Sequence, residues 1–271
     1  MKIKIGFIGC GNMGQVLVAS LLKKKIFKNS EIGAATAHPE KGTSLRRKFR
    51  ITVFETNREL VRSASIIVLA VKPQQMREVL QEITSDITPK HLVLTLAAGL
   101  DGAFYFRYLP AGTRLIRAMP NIPSLLGIGA TGLFASDSRT PRDRRLALKI
   151  FSSVGKALYV PEEGSLDIVT ALSGAGPAFV YYFIDSMIRG ATELGLPETI
   201  ARTLFLETIK GAVAMVEEGK DSIETLISRV ASKGGTTEAG LCFLRTNDVS
   251  DLLMKTIEAA ARRAKEMRGS F

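Results

Sequence analysis

Residues 2–14 read KIKIGFIGCGNMG, and the reading of this stretch decides the fold. Ile3, Ile5 and Phe7 alternate with Lys2, Lys4 and Gly6, the period of a β-strand, and the run ends in Gly9-Cys10-Gly11-Asn12-Met13-Gly14. Beyond it, Met13, Val16, Leu17 and Leu21 recur at helical spacing. Strand, glycines and helix in that order form the context in which G-x-G-x-x-G binds a dinucleotide. The glycines turn the chain tightly and let backbone N–H groups approach a pyrophosphate, while the helix N-terminus favours the anion. A glycine-rich βα turn without a ligand is the competing reading, and the surroundings weigh against it.

Outward from this turn, short apolar runs alternate with amphipathic segments as far as about residue 160. The runs fall at 2–9, 31–36, 51–54, 65–71, 91–97, 113–119, 129–135 and 156–160. Such alternation predicts a mainly parallel sheet covered by helices on both faces, and the unbroken apolarity of IIVLAV at 66–71 fits a central strand. After Pro161 the period changes to helical, with helices expected at about 165–194, 197–218, 221–231, 236–245 and 248–268. The fold class is therefore an α/β N-terminal domain followed by an all-α C-terminal domain. The expected division is 1–162 for dinucleotide binding and 163–271 for the helical domain.

Of the 271 residues, 46% are apolar and 23% charged, the composition of a globular chain rather than a disordered one. The net charge of +11 is spread over separate clusters at 23–25, 46–50, 142–145 and 262–268, with no aromatic interleaving, so solvated faces and small anionic ligands are expected rather than nucleic acid. Cys10 and Cys242 have no metal-binding spacing, so no metal is expected. Two reduced thiols and no leader pattern point to a cytoplasmic protein. The longest uncharged stretch, Ile168 to Ile184, contains Gly174, Gly176 and Pro177 and is shorter than the ~18 residues of a bilayer span. A buried or subunit-interface helix is expected there, and no membrane partner.

NAD-binding folds usually end the second strand in a carboxylate for the ribose 2'-hydroxyl. Here that place holds Ala35-Thr36-Ala37-His38, followed by Lys41, Arg46 and Arg47. A hydroxyl at Thr36 and nearby cations suit a 2'-phosphate, which favours NADPH while admitting NADH.

Several separated motifs join this turn: Asn57, AVKP at 70–73, AAGL at 97–100, RAMPNIP at 117–123, LSGAGPAF at 172–179 and SKGGTTEAGL at 232–241. Together they span the chain, which resembles the Δ1-pyrroline-5-carboxylate reductases of proline biosynthesis. The resemblance implies a Rossmann domain and a helical domain that dimerises by interleaving helices, the dimers often forming larger rings with active sites that use both subunits. It implies reduction of the C=N bond of a cyclic imino acid by NADPH.

Carried onto this sequence, the resemblance places Gly9, Gly11, Asn12 and Met13 on the pyrophosphate and Asn57 on a ribose. It places Ala70, Lys72, Pro73 and Ala98 beside the nicotinamide, and Met119 and Asn121 at the turn that closes its pocket. Ser232, Gly234, Gly235, Thr236 and Thr237 are the implied substrate cradle, with the Thr237 hydroxyl bonding the ring nitrogen. Three departures stand out: Ala175 replaces a common serine, Lys233 a common proline, and the end of the second strand lacks Asn-Arg-Ser. A β-hydroxyacid dehydrogenase would need a lysine on the long helix, and none lies between Ser165 and Ile209. The alternatives left open are another cyclic imino acid as substrate, or a non-catalytic regulatory relative.

Overall fold

The computed structural model describes residues 3–135 and 140–268; Lys2, expected to open the first strand, lies outside them. Eight strands form one sheet: β1 (Ile3–Ile8), β2 (Ile32–Ala35), β3 (Thr52–Phe54), β4 (Ala64–Leu69), β5 (Leu92–Thr95), β6 (Arg114–Pro120), β7 (Gly129–Ala135) and β8 (Gly155–Tyr159). Their order is β3-β2-β1-β4-β5-β6-β7-β8. The first six are parallel; β7 is antiparallel to β6 and parallel to β8, so the last two run the other way. Every apolar run picked out in the sequence forms one of these strands.

Six helices are interleaved with them: α1 (Asn12–Lys23), α2 (Pro39–Phe49), α3 (Asn57–Ser63), α4 (Pro73–Ile83), α5 (Gly102–Phe106) and α6 (Pro141–Phe151). Alternate residues of β4 serve opposite faces, as the strand period requires. Ile66 and Val68 join a core with Leu17 and Leu21 of α1 and Ile150 of α6. Ile67 and Leu69 join a second core with Val61 of α3, Leu80 of α4 and Tyr105 of α5. Because the order reverses between β1 and β4, the carboxyl ends of these two strands open a crevice, where α/β sheets bind their ligands.

The remaining helices are α7 (Ser165–Val169), α8 (Gly176–Glu193), α9 (Glu198–Glu218), α10 (Ile223–Val230), α11 (Thr236–Thr246) and α12 (Val249–Arg268). The single helix expected at 165–194 is broken: Thr170–Gly174 is a π turn, closed by Ala175 N–H donating to the Thr170 carbonyl at 2.8 Å. Pro177 explains the break, since it has no N–H to give to residue 173 and its ring crowds that turn. Helicity nevertheless persists over the 29 residues Ser165–Glu193, whose most apolar window has a mean hydropathy of 1.2, enough by length and composition to cross a membrane. That corrects the expectation of a stretch too short to do so. Only 11% of the window is buried, so the run is not a core helix.

The chain divides into two compact units, one comprising the described residues up to Ala175 together with those from Ala259 onward, the other Gly176–Glu258. In the first, the end of α12 is tied down by the Arg268 guanidinium, which donates to the Asp167 carboxylate of α7. In the second, α8 packs on α9, with the Phe183 and Phe205 rings 5.8 Å apart. Ile188 and Ala201 are the only buried residues of that second unit, while Tyr182, Phe243 and Leu253 stand exposed.

Candidate functional site

The turn after β1 is built as its glycines predict. Gly9 has φ +75°, a conformation that strains any residue with a Cβ, and a Cβ there would lie 2.3 Å from Val71 Cγ1. At Gly11 a Cβ would meet nothing within 4 Å, so the space beside that residue is open to a ligand. Gly11 caps α1 without a side-chain hydrogen bond, and Gln15 N–H is the first to find its carbonyl, at 2.9 Å. The N–H groups of Asn12 and Met13, at the head of α1, are therefore available to an anion.

Around this turn lies a cleft of about 350 Å³. Gly9, Gly11, Thr36, Asn57, Ala70 and Lys72 all line it, as the sequence reading expected. Pro73 follows as the first residue of α4. Lys41 also lines the cleft, whereas Arg46 is committed elsewhere, donating to the Val53 carbonyl at 2.8 Å. No carboxylate ends β2, and Lys41 and His38 line the cleft beside the Thr36 hydroxyl. His38 lines the cleft while its side chain stays 57% exposed.

Burial pushes the Cys10 thiol up to about 12 against the opposing charge of Lys48, so the sulfur in the glycine turn stays neutral. Gln75, Glu78 and Glu82 of α4 complete the cleft, and Glu82 accepts from Asn57 Nδ2 at 2.6 Å. Sequence reasoning passed over these three. Their spacing of three and four puts them on one face of α4, opposite the buried Met76, Leu80 and Ile83, and that was the signal to follow.

Ala98, Met119 and Asn121 are not part of the cleft lining. Ala98 lies beyond β5 just before Gly99, which has φ +73°. Met119 and Asn121 gather at the π turn instead. Asn121 Nδ2 donates to the Ser173 carbonyl and hydroxyl at 3.2 Å each, and its Oδ1 accepts from Ala130 N–H at 2.8 Å. A Cβ on Gly174 would come within 2.7 Å of the Met119 methyl, so Met119 packs against this glycine.

His91 cannot serve as an acid or base. It is buried at the head of β5, its Nδ1 accepting from Thr88 N–H at 2.9 Å, which leaves Nε2 to donate to the Val61 carbonyl at 3.2 Å. Among the described residues no cluster of side chains could hold a metal ion.

In the second unit, α11 begins at Thr236 behind Gly235, again a cap with no side-chain hydrogen bond. Ala239 N–H reaches the Gly235 carbonyl at 3.1 Å, so the N–H groups of Thr236 and Thr237 have no helical acceptor. Gly234 has φ +72°, and a Cβ on Gly235 would lie 2.6 Å from Ser232 Oγ. The turn thus requires a glycine at 234 and leaves little room for a side chain at 235. The half-buried Thr237 hydroxyl has no partner among the described residues. Glycines and a bare helix start leave two donors and a hydroxyl that an anionic group can meet.

Comparison with known proteins finds families along both parts of the chain. A family profile described as pyrroline-5-carboxylate reductase dimerisation matches residues 163–267, and one described as NADP oxidoreductase coenzyme F420-dependent matches residues 4–99. A pyrroline-5-carboxylate reductase of Methanosarcina acetivorans is 38% identical over 97% of this chain and 97% of its own length. The structure of a pyrroline-5-carboxylate reductase from Coxiella burnetii superposes with a TM-score of 0.91 at 33% identity, covering 98% of this chain and 99% of that one. A Plasmodium falciparum pyrroline carboxylate reductase solved with NADP bound gives a TM-score of 0.86 at 31% identity, with 98% of each chain covered.

Proposed function

This chain belongs to the pyrroline-5-carboxylate reductase family, and on that premise we propose that its two sites share one reaction, the cleft holding the cofactor and the start of α11 the substrate. The reaction is the reduction of Δ1-pyrroline-5-carboxylate to L-proline, the last step of proline biosynthesis, with NADPH.

The cleft fits the dinucleotide. The open side of Gly11 and the first N–H groups of α1, at Asn12 and Met13, receive the pyrophosphate; Thr36 and Lys41 receive the 2'-phosphate; and Asn57 receives a ribose hydroxyl. Ala70 and Lys72, with Pro73 behind them, lie on the nicotinamide side of the cleft, and Ala98, Met119 and Asn121, outside the cleft lining, meet the ring beyond it. Bound NADPH supplies the hydride.

On the substrate side, the N–H groups of Thr236 and Thr237 hold the carboxylate, with Ser232, Gly234 and Gly235 shaping the approach. The Thr237 hydroxyl holds the ring nitrogen. An imine nitrogen that is protonated before it binds needs no strong acid from the protein, because the hydride goes to carbon and the nitrogen keeps its proton. Catalysis then rests on holding the imine carbon in line, a matter of positioning. The observation that carries this reading is the uncapped start of α11, two free N–H groups and an unpartnered hydroxyl behind a glycine turn.

For function we divide the chain at 162/163, giving a dinucleotide-binding part and a part for dimerisation and substrate binding; the match at 163–267 supports that division. The active form is a homodimer or a larger ring, supported by the exposed apolar surface of α8, α9 and α12. That use of the α8 surface, rather than a membrane, accounts for its apolarity. The exposed free thiol of Cys242 supports a reducing cytoplasmic setting.

The test is direct: add pyrroline-5-carboxylate to the purified protein with NADPH or, separately, NADH, and follow loss of the reduced nicotinamide. Oxidation of NADPH at lower concentrations than NADH, with proline formed in equal amount, is expected. Binding of NADPH without any turnover would overturn the reading in favour of a regulatory protein.

A further inference from the structure

Ser232–Gly235 is a β-turn whose closing bond runs from Gly235 N–H to the Ser232 carbonyl at 2.9 Å. Its third residue, Gly234, has φ +72°, and its second, Lys233, is not among the residues with positive φ. That combination is a type II turn, in which proline is favoured at the second position because its ring pre-sets φ. Here the second position is an exposed lysine, so nothing within the turn stiffens it. The stiffening comes from outside. Glu238, the third residue of α11, folds its carboxylate back to accept the N–H of Gly234.

We propose that the Glu238 carboxylate clamps the Ser232–Gly235 turn in its type II form, replacing the restraint a proline would supply, and so keeps the Thr236 and Thr237 N–H groups aimed at the substrate carboxylate. Glu238 is a positioning residue: it acts on the turn and does not touch the substrate. A hydrogen bond to a charged acceptor is among the stronger ones, and the negative charge also suits the N-terminal turn of a helix. The inference rests on the reading of this loop as the substrate cradle.

A rival account of the same bond is that Glu238 occupies an N–H the substrate itself would use. The two differ in sign. If Glu238 clamps the turn, removing it weakens substrate binding; if it competes, removing it tightens binding.

The experiment uses the full chain with Glu238→Ala, Glu238→Gln, Glu238→Ala combined with Lys233→Pro, and Lys233→Gln as the control for the lost charge. The readouts are amide hydrogen exchange at Gly235, whose N–H closes the turn, in the absence of substrate, and kcat with the Michaelis constants for pyrroline-5-carboxylate and NADPH. Glu238→Ala is expected to speed exchange and raise KM for the imino acid about tenfold, with kcat and KM for NADPH nearly unchanged. Glu238→Gln, which keeps an acceptor, stays close to the parent in both readouts and guards against a folding defect. Adding Lys233→Pro to Glu238→Ala restores slow exchange and low KM, which Lys233→Gln does not.

An unchanged or lowered KM in Glu238→Ala, or a proline that restores neither readout, overturns the proposal. If the parent protein does not reduce pyrroline-5-carboxylate at all, the cradle reading falls, while exchange alone still decides the clamp: slow in the parent, fast in Glu238→Ala and slow again with proline upholds it, and any other pattern overturns it.

Discussion

In the reaction proposed above, Thr237 and Lys41 are the two side chains on which the chemistry and the cofactor choice turn. Replacing the Thr237 hydroxyl by the methyl of valine keeps volume and branching, so Thr237→Val is expected to lower kcat/KM about ten- to a hundredfold while the dissociation constant of NADPH stays the same. Steady-state kinetics beside a fluorescence titration separate the two effects, and equal loss of both would show a folding defect. Lys41 lines the cleft near Thr36 with no acidic side chain ending β2. Lys41→Ala should therefore weaken NADPH binding about tenfold and leave NADH binding nearly unchanged, checked by titrating each cofactor into the same protein. Thr36 was legible as a cleft residue from its place at the end of the second strand, and Asn57 from the family resemblance. Arg46 was not separable from Lys41 in sequence, because only its bond to the Val53 carbonyl shows that it is already engaged.

Pairings between elements hold the cleft in shape, and one of them titrates. Arg58 and Arg62 of α3 donate from Nε to the two oxygens of Asp86, at 2.6 and 2.7 Å, joining α3 to the short turn that follows α4. The bond from Arg58, then that from Arg62, holds the Asp86 carboxyl below its ordinary 3.8. A native pKa below the unfolded one gives stability that is present above 3.8 and lost as pH falls through the lower native value. Asp86→Asn is accordingly expected to melt at a lower temperature than the parent near neutral pH, by a few degrees at most for so exposed a group of arginines. The gap should close as pH falls below 3.8, which paired melting curves across pH would record. The π turn is the element that sequence reading missed. Pro177 announced an interruption, but whether the chain kinks, stops or takes a wider turn depends on what braces it, here Asn121 on Ser173 and Met119 against Gly174.

At the scale of the molecule, the second unit has almost no interior of its own. A stretch with Ile188 and Ala201 as its buried residues cannot balance the entropy of ordering its helices, so its apolar faces need a cover. In the homo-oligomer proposed above, a second copy supplies that cover. The paired substitution Tyr182→Asp and Phe243→Asp, at positions 79% and 68% exposed in the single chain, puts unpaired charges on that face. Sedimentation is expected to show the dimer dissociation constant raised by about two orders of magnitude, with a lower melting temperature. An unchanged dimer would place the interface elsewhere. The +11 charge acts over the whole surface too, so KM for both anionic substrates should rise with ionic strength.

Sequence by itself determined the parts of this protein governed by local rules. The strand-glycine-helix order of residues 2–14 announced the phosphate turn, period separated the sheet from the helices, and the absence of an acidic residue at Thr36 spoke for NADPH. Each of these is a property of neighbouring residues along the chain, and backbone sterics and hydrophobic period express it directly. Tertiary structure alone decided which polar groups were still free. It engaged Arg46 and locked His91 between Thr88 and Val61. It brought Gln75, Glu78 and Glu82 to the cleft, and it turned Glu238 back onto Gly234. A hydrogen bond is satisfied by whatever the fold brings within about 3 Å, and nothing in the linear order says which group that will be.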